Sequence, residues 1–202
     1  MAIKLTKNEL KAQKESLKMY QRYLPTLQLK KQQLQTEVRT IENRAKQVRA
    51  DRDRLNAEFR EWIAVFGEAD AFTPDMLAVR SIRTSTGNIA GVSIPIFDGA
   101  EFERSRYDLY ATPLWIDTAA DRLEKVLLLD LEARILDEQV RLLQIELRTT
   151  TQRVNLFEKV KIPEAKENIK KINVYLGDQQ VASVVRGKIS KRNLLKASEV
   201  KE

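Results

Sequence analysis

The sequence predicts a mainly α protein: a long antiparallel two-helix coiled coil closed by a small β-hairpin tip. Three observations lead there. Across 202 residues there are only 6 Gly and 5 Pro, against 32% charged and 43% hydrophobic residues, a composition that favours long helices. Two long stretches, one in each half, repeat apolar residues in alternating steps of three and four. Between them the period changes to that of a strand.

The first helical stretch covers residues 1–66. Of the seventeen positions from 10 to 66 that follow the three–four alternation, fourteen are apolar, Leu10, Leu34, Val38, Ile41, Trp62 and Phe66 among them, and the exceptions are Gln13, Lys31 and Arg52. So narrow a stripe needs a partner helix to cover it. Pro25 lies inside the stretch, where it removes a hydrogen bond and costs about 3 kcal/mol. The apolar count passes through it without a slip, so a bend is expected, with a full break after residue 22 as the other reading.

Residues 67–112 form the connection. "AVRSIRTSTGNIAGVSIPIF" reads as a β-hairpin over about 78–97, with its turn at Thr86-Gly87-Asn88, because Gly and Asn accept positive φ. Gly91 is then expected to mark a bulge. Pro95, which cannot donate to a ladder, is expected at a strand end or edge.

The second helical stretch is expected over 113–177, opened by Thr112 as N-cap with Pro113 in first position. Eleven of thirteen seam positions from Trp115 to Phe157 are apolar, Arg122 and Thr150 being the departures. Beyond Phe157 the seam steps by fours, through Lys161 and Ala165 to Ile169, which is a stutter that locally unwinds a supercoil. Pro163 falls within it and is the second expected bend. Gly177 is expected to end the helix, and the structure of the basic 178–202 tail is left open. Each arm has about sixty residues, so the rod would be about 90 Å long at 1.5 Å per residue.

Chemistry is restricted by what is missing. The chain has no Cys and no His, and no glycine-rich phosphate loop, so no catalytic residue, cofactor site or metal site is expected. Asp137 and Glu138 read as solvated coiled-coil surface. Lysines interrupt the N-terminal region and no apolar run approaches the roughly 20 residues of a membrane span. A cytoplasmic protein without membrane insertion is expected.

Net charge is +7 and uneven: residues 1–54 carry 14 basic and 6 acidic side chains, and residues 161–202 carry 10 and 5, whereas 55–112 carry 5 and 9. One reading is solvated helix faces; the other is an end that works beside an acidic protein cavity. A nucleic-acid partner is not expected, since the basic residues are interspersed with the seam and no recognition module is present.

"VLLLDLEARILDEQVRLLQIEL" holds more aliphatics than a two-stranded coil needs. Leu128, Leu131, Ile135, Leu142 and Ile145 project from the side away from the seam. They are either a locally wider core, covered by 67–77 or by the hairpin folding back, or a docking strip for another polypeptide, which is the preferred account.

Three segments carry a family resemblance: "LTKNELKAQKESL" near the N-terminus, "NIAGVSIPIF" in the middle and "QRVNLFEKVKIP" late in the chain. Their order and spacing resemble the D subunits of the V/A-type (vacuolar/archaeal-type) rotary ATPases over essentially the whole chain. The resemblance implies a central rotor shaft with partners on three sides: the catalytic A/B hexamer, the small F subunit of the central stalk, and a membrane-proximal stalk or ring subunit. On that basis Lys7, Lys11, Arg153, Asn155 and Glu158 are expected to face the hexamer, and the aliphatic strip to take the F subunit. The isolated chain is expected to be monomeric or one-to-one with the F subunit. The alternative is a prefoldin-like chaperone subunit, which also joins two helical arms by β-hairpins.

Overall fold

The computed structural model describes residues 3–66, 76–105 and 113–199. Its elements run in the order α1 (Lys7–Phe66), β1 (Leu77–Ile89), β2 (Val92–Arg104), α2 (Ile116–Leu156), a π-helical turn (Phe157–Lys161) and α3 (Ile162–Glu199). The fold is thus mainly helical with an antiparallel hairpin, as the periodicity predicts. The chain divides into two compact units, one of Lys30–Thr149 and one of Met1–Leu29 with Thr150–Glu202.

Helix α1 starts where Thr6 accepts a hydrogen bond on Oγ1 from the Glu9 backbone N–H at 3.2 Å, which satisfies one of the donors a helix start leaves open. It then continues through Pro25, so the break after residue 22 does not occur. Helix α2 begins later than expected. Pro113 accepts from the Ile116 N–H at 3.1 Å and Trp115 from the Ala119 N–H at 2.9 Å, so Pro113–Trp115 form the entering turn. Thr112, the expected cap, lies outside the described residues, as does the 67–75 part of the segment considered as a cover.

In the unit of Lys30–Thr149, α1 and α2 pair antiparallel along the predicted seam. Leu34, Val38, Ile41, Ala45 and Val48 are buried on α1, and Ala119, Ala133 and Leu143 on α2. Ion pairs fix the register at the rim: Lys30 with Glu146 at 2.6 Å, Arg44 with Glu132 at 3.1 Å, Arg52 with Asp130 at 2.7 Å, and Arg49 with Asp137. Each takes its cation from α1 and its anion from α2. Exposed pairs of this kind contribute only about 0.2–1 kcal/mol each, so the apolar seam carries the stability and the charges select the register.

The hairpin departs from expectation at its turn and in its setting. The turn is Ala90-Gly91, with φ of 50° and 83°, the left-handed pair that a two-residue type I′ turn requires. The Asn88 side-chain oxygen accepts from the Gly91 N–H at 3.0 Å. Gly87 is therefore inside β1, paired with Ile94, and Gly91 is not a bulge. At 87 a Cβ would lie 2.6 Å from Ile96 Cδ1, so any side chain there requires the exposed end of Ile96 to shift. The register slips instead at Val79/Ser81 and at Arg83/Thr84. Pro95 sits within β2 opposite Thr86; in a two-stranded sheet every strand is an edge, so its missing donor is tolerated.

The hairpin also folds back along the helices. Ile94 is buried with Leu34, Val38, Ile41 and Leu143, and Ile89, Ala90 and Val92 pack on the same cluster beside Leu136, Val140 and Leu147. Gln139, itself buried, donates from Nε2 to the Pro95 carbonyl. At the other end of the hairpin, Arg104 bonds Asp121 at 2.6 Å and also Glu124. Both carboxylates raise the Arg104 guanidinium, Glu124 more than Asp121. This unit is therefore a three-element core of two helices and a hairpin.

In the unit of Met1–Leu29 and Thr150–Glu202 the core is thinner: Val154, Ala165 and Ile172 are buried beside the polar Thr150 and Asn168. Tyr20 and Phe157 meet with ring centroids 5.1 Å apart. At the stutter the helix widens into the π turn, where the Ile162 N–H donates five residues back to the Phe157 carbonyl. Pro163 follows directly. Its ring would crowd a carbonyl four residues earlier and its nitrogen donates nothing, which a turn with one extra residue accommodates. Gly177 does not end α3, which runs on to Glu199. A glycine inside a helix costs only about 1 kcal/mol against alanine, so it does not by itself end one.

Candidate interaction surfaces

Expected seam and expected surface separate cleanly at "QRVNLFEKVKIP". Val154 is buried and Phe157 packs on Tyr20, while Arg153, Asn155 and Glu158 are exposed. Lys7 and Lys11 are exposed on the first turns of α1, and Lys11 has Glu15 within 3.9 Å, one turn on. Charge follows the two compact units closely. The unit of 1–29 and 150–202 carries 18 basic and 8 acidic residues; the unit of 30–149 carries 18 and 21. The first is strongly cationic, and α3 leaves every side chain from Asp178 to Leu194 exposed, including Val181, Val184, Val185 and Ile189.

Sequence reasoning missed the polar layer of this unit. Asn168, buried, donates from Nδ2 to Gln13 Oε1 at 3.5 Å, at the edge of a polar cleft of about 110 Å³ that Lys161 and Tyr20 also line. Gln13 was visible as an exception in the seam, and Asn168 stands one residue before the expected seam position Ile169. The pair was detectable only by aligning the two arms.

The aliphatic strip lies on α2 in the other unit. Leu128, Leu131, Ile135 and Leu142 are half-buried and Ile145 is 54% exposed. None joins the cluster beneath the hairpin, which draws on Leu136, Val140, Leu143 and Leu147 instead. The folded-back hairpin therefore widens the seam side. Asp137 and Glu138 hold ion pairs, with Arg49 and with Arg141 respectively. Arg141, bonded to Glu138, holds that carboxyl below the usual range. At the far end of the unit Arg122 stacks 5.0 Å above the Trp62 ring, and Trp62 meets Trp115 edge to face at 6.0 Å.

Among the described residues no group of three or more His, Cys, Asp and Glu could hold a metal ion. No helix among them is long and apolar enough to cross a membrane.

Fold and surface together define a helical-hairpin coiled-coil protein with a back-folded β-hairpin, whose outward features are apolar and charged surfaces. Comparison with known proteins places it within that class. Residues 9–192 match the family model that describes the D subunit of ATP synthase. The chain is 54% identical over 194 residues to the V-type ATP synthase D subunit of Borreliella burgdorferi, covering 96% of both chains. It is 36% identical to the V-type ATP synthase D subunit of Chlamydia muridarum, with 98% of each covered, and 34% identical to that of Chlamydia pneumoniae, with 95% and 93% covered. The chain belongs to the family of ATP synthase D subunits, and the prefoldin-like alternative is set aside.

Proposed function

We propose that this chain is the non-catalytic shaft of the central stalk in a V/A-type rotary ATPase or ATP synthase, transmitting torque between a catalytic A/B hexamer and a membrane ion-translocating ring. The observation that carries the reading is the intramolecular pairing of α1 with α2 through a continuous seam and four cross-helix ion pairs, in a chain of this family. A helix pair locked in register resists bending and twisting, because either would break its side-chain packing. Differently shaped faces presented in turn to equivalent catalytic sites can bias them into different states, since only differential contacts shift an equilibrium.

In this reading the cationic unit works beside the acidic interior of the hexamer, with Lys7, Lys11, Arg153, Asn155 and Glu158 on the contacting side. The π turn and Pro163 make that side unequal from face to face. The strip of Leu128, Leu131, Ile135, Leu142 and Ile145 takes the small F subunit, and the chain also meets the membrane-proximal subunit. The chain is then a cytoplasmic, peripheral part of a membrane-bound complex, monomeric or one-to-one with the F subunit when isolated. Purification from native membranes should bring catalytic-type and small stalk subunits with it. A chain recovered only with copies of itself would overturn the reading. In the reconstituted complex, Arg153→Ala should lower coupled ATP hydrolysis and rotation; unchanged values would remove that residue from the contact.

A further inference from the structure

We propose that the π turn at Phe157–Lys161 is a one-residue phase shifter: it joins two stretches of seam that are each regular but out of step with one another by one residue. The device belongs to this chain's own helix pair and does not depend on the role proposed above.

The mismatch is already present in the residue order. Continuing the three–four alternation from Thr150, Val154 and Phe157 leads to Lys161, Glu164, Asn168, Lys171 and Tyr175, a seam with three charged positions. The structure instead buries Ala165, Asn168 and Ile172, half-buries Ile169 and Leu176, and leaves Glu164, Lys171 and Tyr175 exposed. Glu164, Lys171 and Tyr175 are each replaced in the seam by the residue that follows. A turn whose hydrogen bond reaches five residues back, from Ile162 N–H to the Phe157 carbonyl, holds one residue more than an α turn and advances the phase by that residue. A stutter can also be absorbed by unwinding the supercoil over many residues; in this chain it is concentrated in a single turn.

The neighbours explain why the shift falls at this place. Upstream, Val154 is buried and Phe157 packs on Tyr20, so an earlier π turn would rotate both out and bring Asn155 and Glu158 in. Downstream, a π turn placed after Ala165 would bury Glu164, and one placed after Ile172 would bury Lys171 as well, each a charge taken out of water. Pro163 stands in the window that remains. Without an N–H it interrupts the α ladder where the shift has to occur. No residue of the π turn is fully buried, and Val160 is half exposed, so the extra residue contributes little packing of its own.

The test uses the full chain with Pro163→Ala as reference, because proline penalises the uninterrupted α-helix that the deletion should form. In that background, deleting Val160 should leave the seam intact, with the midpoint of thermal unfolding within about 3 °C of the reference or above it. Inserting one alanine after Lys159 puts Ala165, Asn168 and Ile172 out of step and should lower the midpoint by roughly 10 °C. The chain has no cysteine, so single Lys171→Cys and Ile172→Cys substitutions report the phase by thiol labelling. In the reference and in the deletion, Ile172→Cys should label roughly tenfold more slowly than Lys171→Cys, and the insertion should erase the difference. A deletion as damaging as the insertion, or one that moves protection to Lys171→Cys, would mean that the π turn is itself required by the fold. An insertion as harmless as the deletion would mean that the seam is not held in phase there. Either result overturns the proposal.

Discussion

Leu143 sits where both helices and the hairpin meet, fully buried among Leu34, Val38, Ile41 and Ile94. Leu143→Ala removes three carbons from that cluster. At about 0.8 kcal/mol per buried methylene the transfer loss is about 2.4 kcal/mol, and the cavity left behind adds about another 1 kcal/mol. The expected loss of about 3–4 kcal/mol lowers the midpoint of thermal unfolding by roughly 10 °C for a chain of this size. Circular dichroism against urea and temperature reads the magnitude, and amide exchange reads the location. If the hairpin is part of this core, protection should fall at Ile89–Ile94 as well as in the helices. Ile94→Ala should then couple to Leu143→Ala, with a double-mutant interaction of about 0.5–3 kcal/mol. Additive effects together with unchanged hairpin protection would refute the three-element core.

Two further substitutions test local causes. Gly87→Val should destabilise the parent by about 1 kcal/mol or more, because the new side chain meets Ile96, yet should stabilise the Ile96→Ala background, where strand preference acts unopposed; the same sign in both backgrounds in urea melts would refute the packing explanation. Pro25→Ala, at an exposed position within the continuous α1, should raise stability by up to about 3 kcal/mol by restoring a backbone donor, and a lower melting temperature would mean that the proline has a structural role not explained by the helix alone.

Much of the fold was legible because the seam is a local repetition. The buried positions Leu34, Val38, Ile41, Ala45 and Val48 are the ones the three–four count marks, and the step to fours after Phe157 marks the place where the helix widens to a π turn. Element ends were less legible. Thr86-Gly87-Asn88 and Ala90-Gly91 both contain residues that accept positive φ, and which pair turns depends on whose side chain lies opposite. Gly177 carries the composition of a helix end, but α3 continues past it. For the candidate surfaces, the exposure of Arg153, Asn155 and Glu158 followed from their places off the seam.

By itself the sequence determined that two long helices pair, which residues line their seam, and where charge collects. Those properties are periodic, and a period can be read without knowing what lies across from it. Only the tertiary structure decided that the hairpin lies back on the helices, that Gln139 ties it down and that Asn168 faces Gln13. Each of those depends on residues far apart in the chain meeting at one place, and the relative shift of two arms is a single number that no local pattern contains.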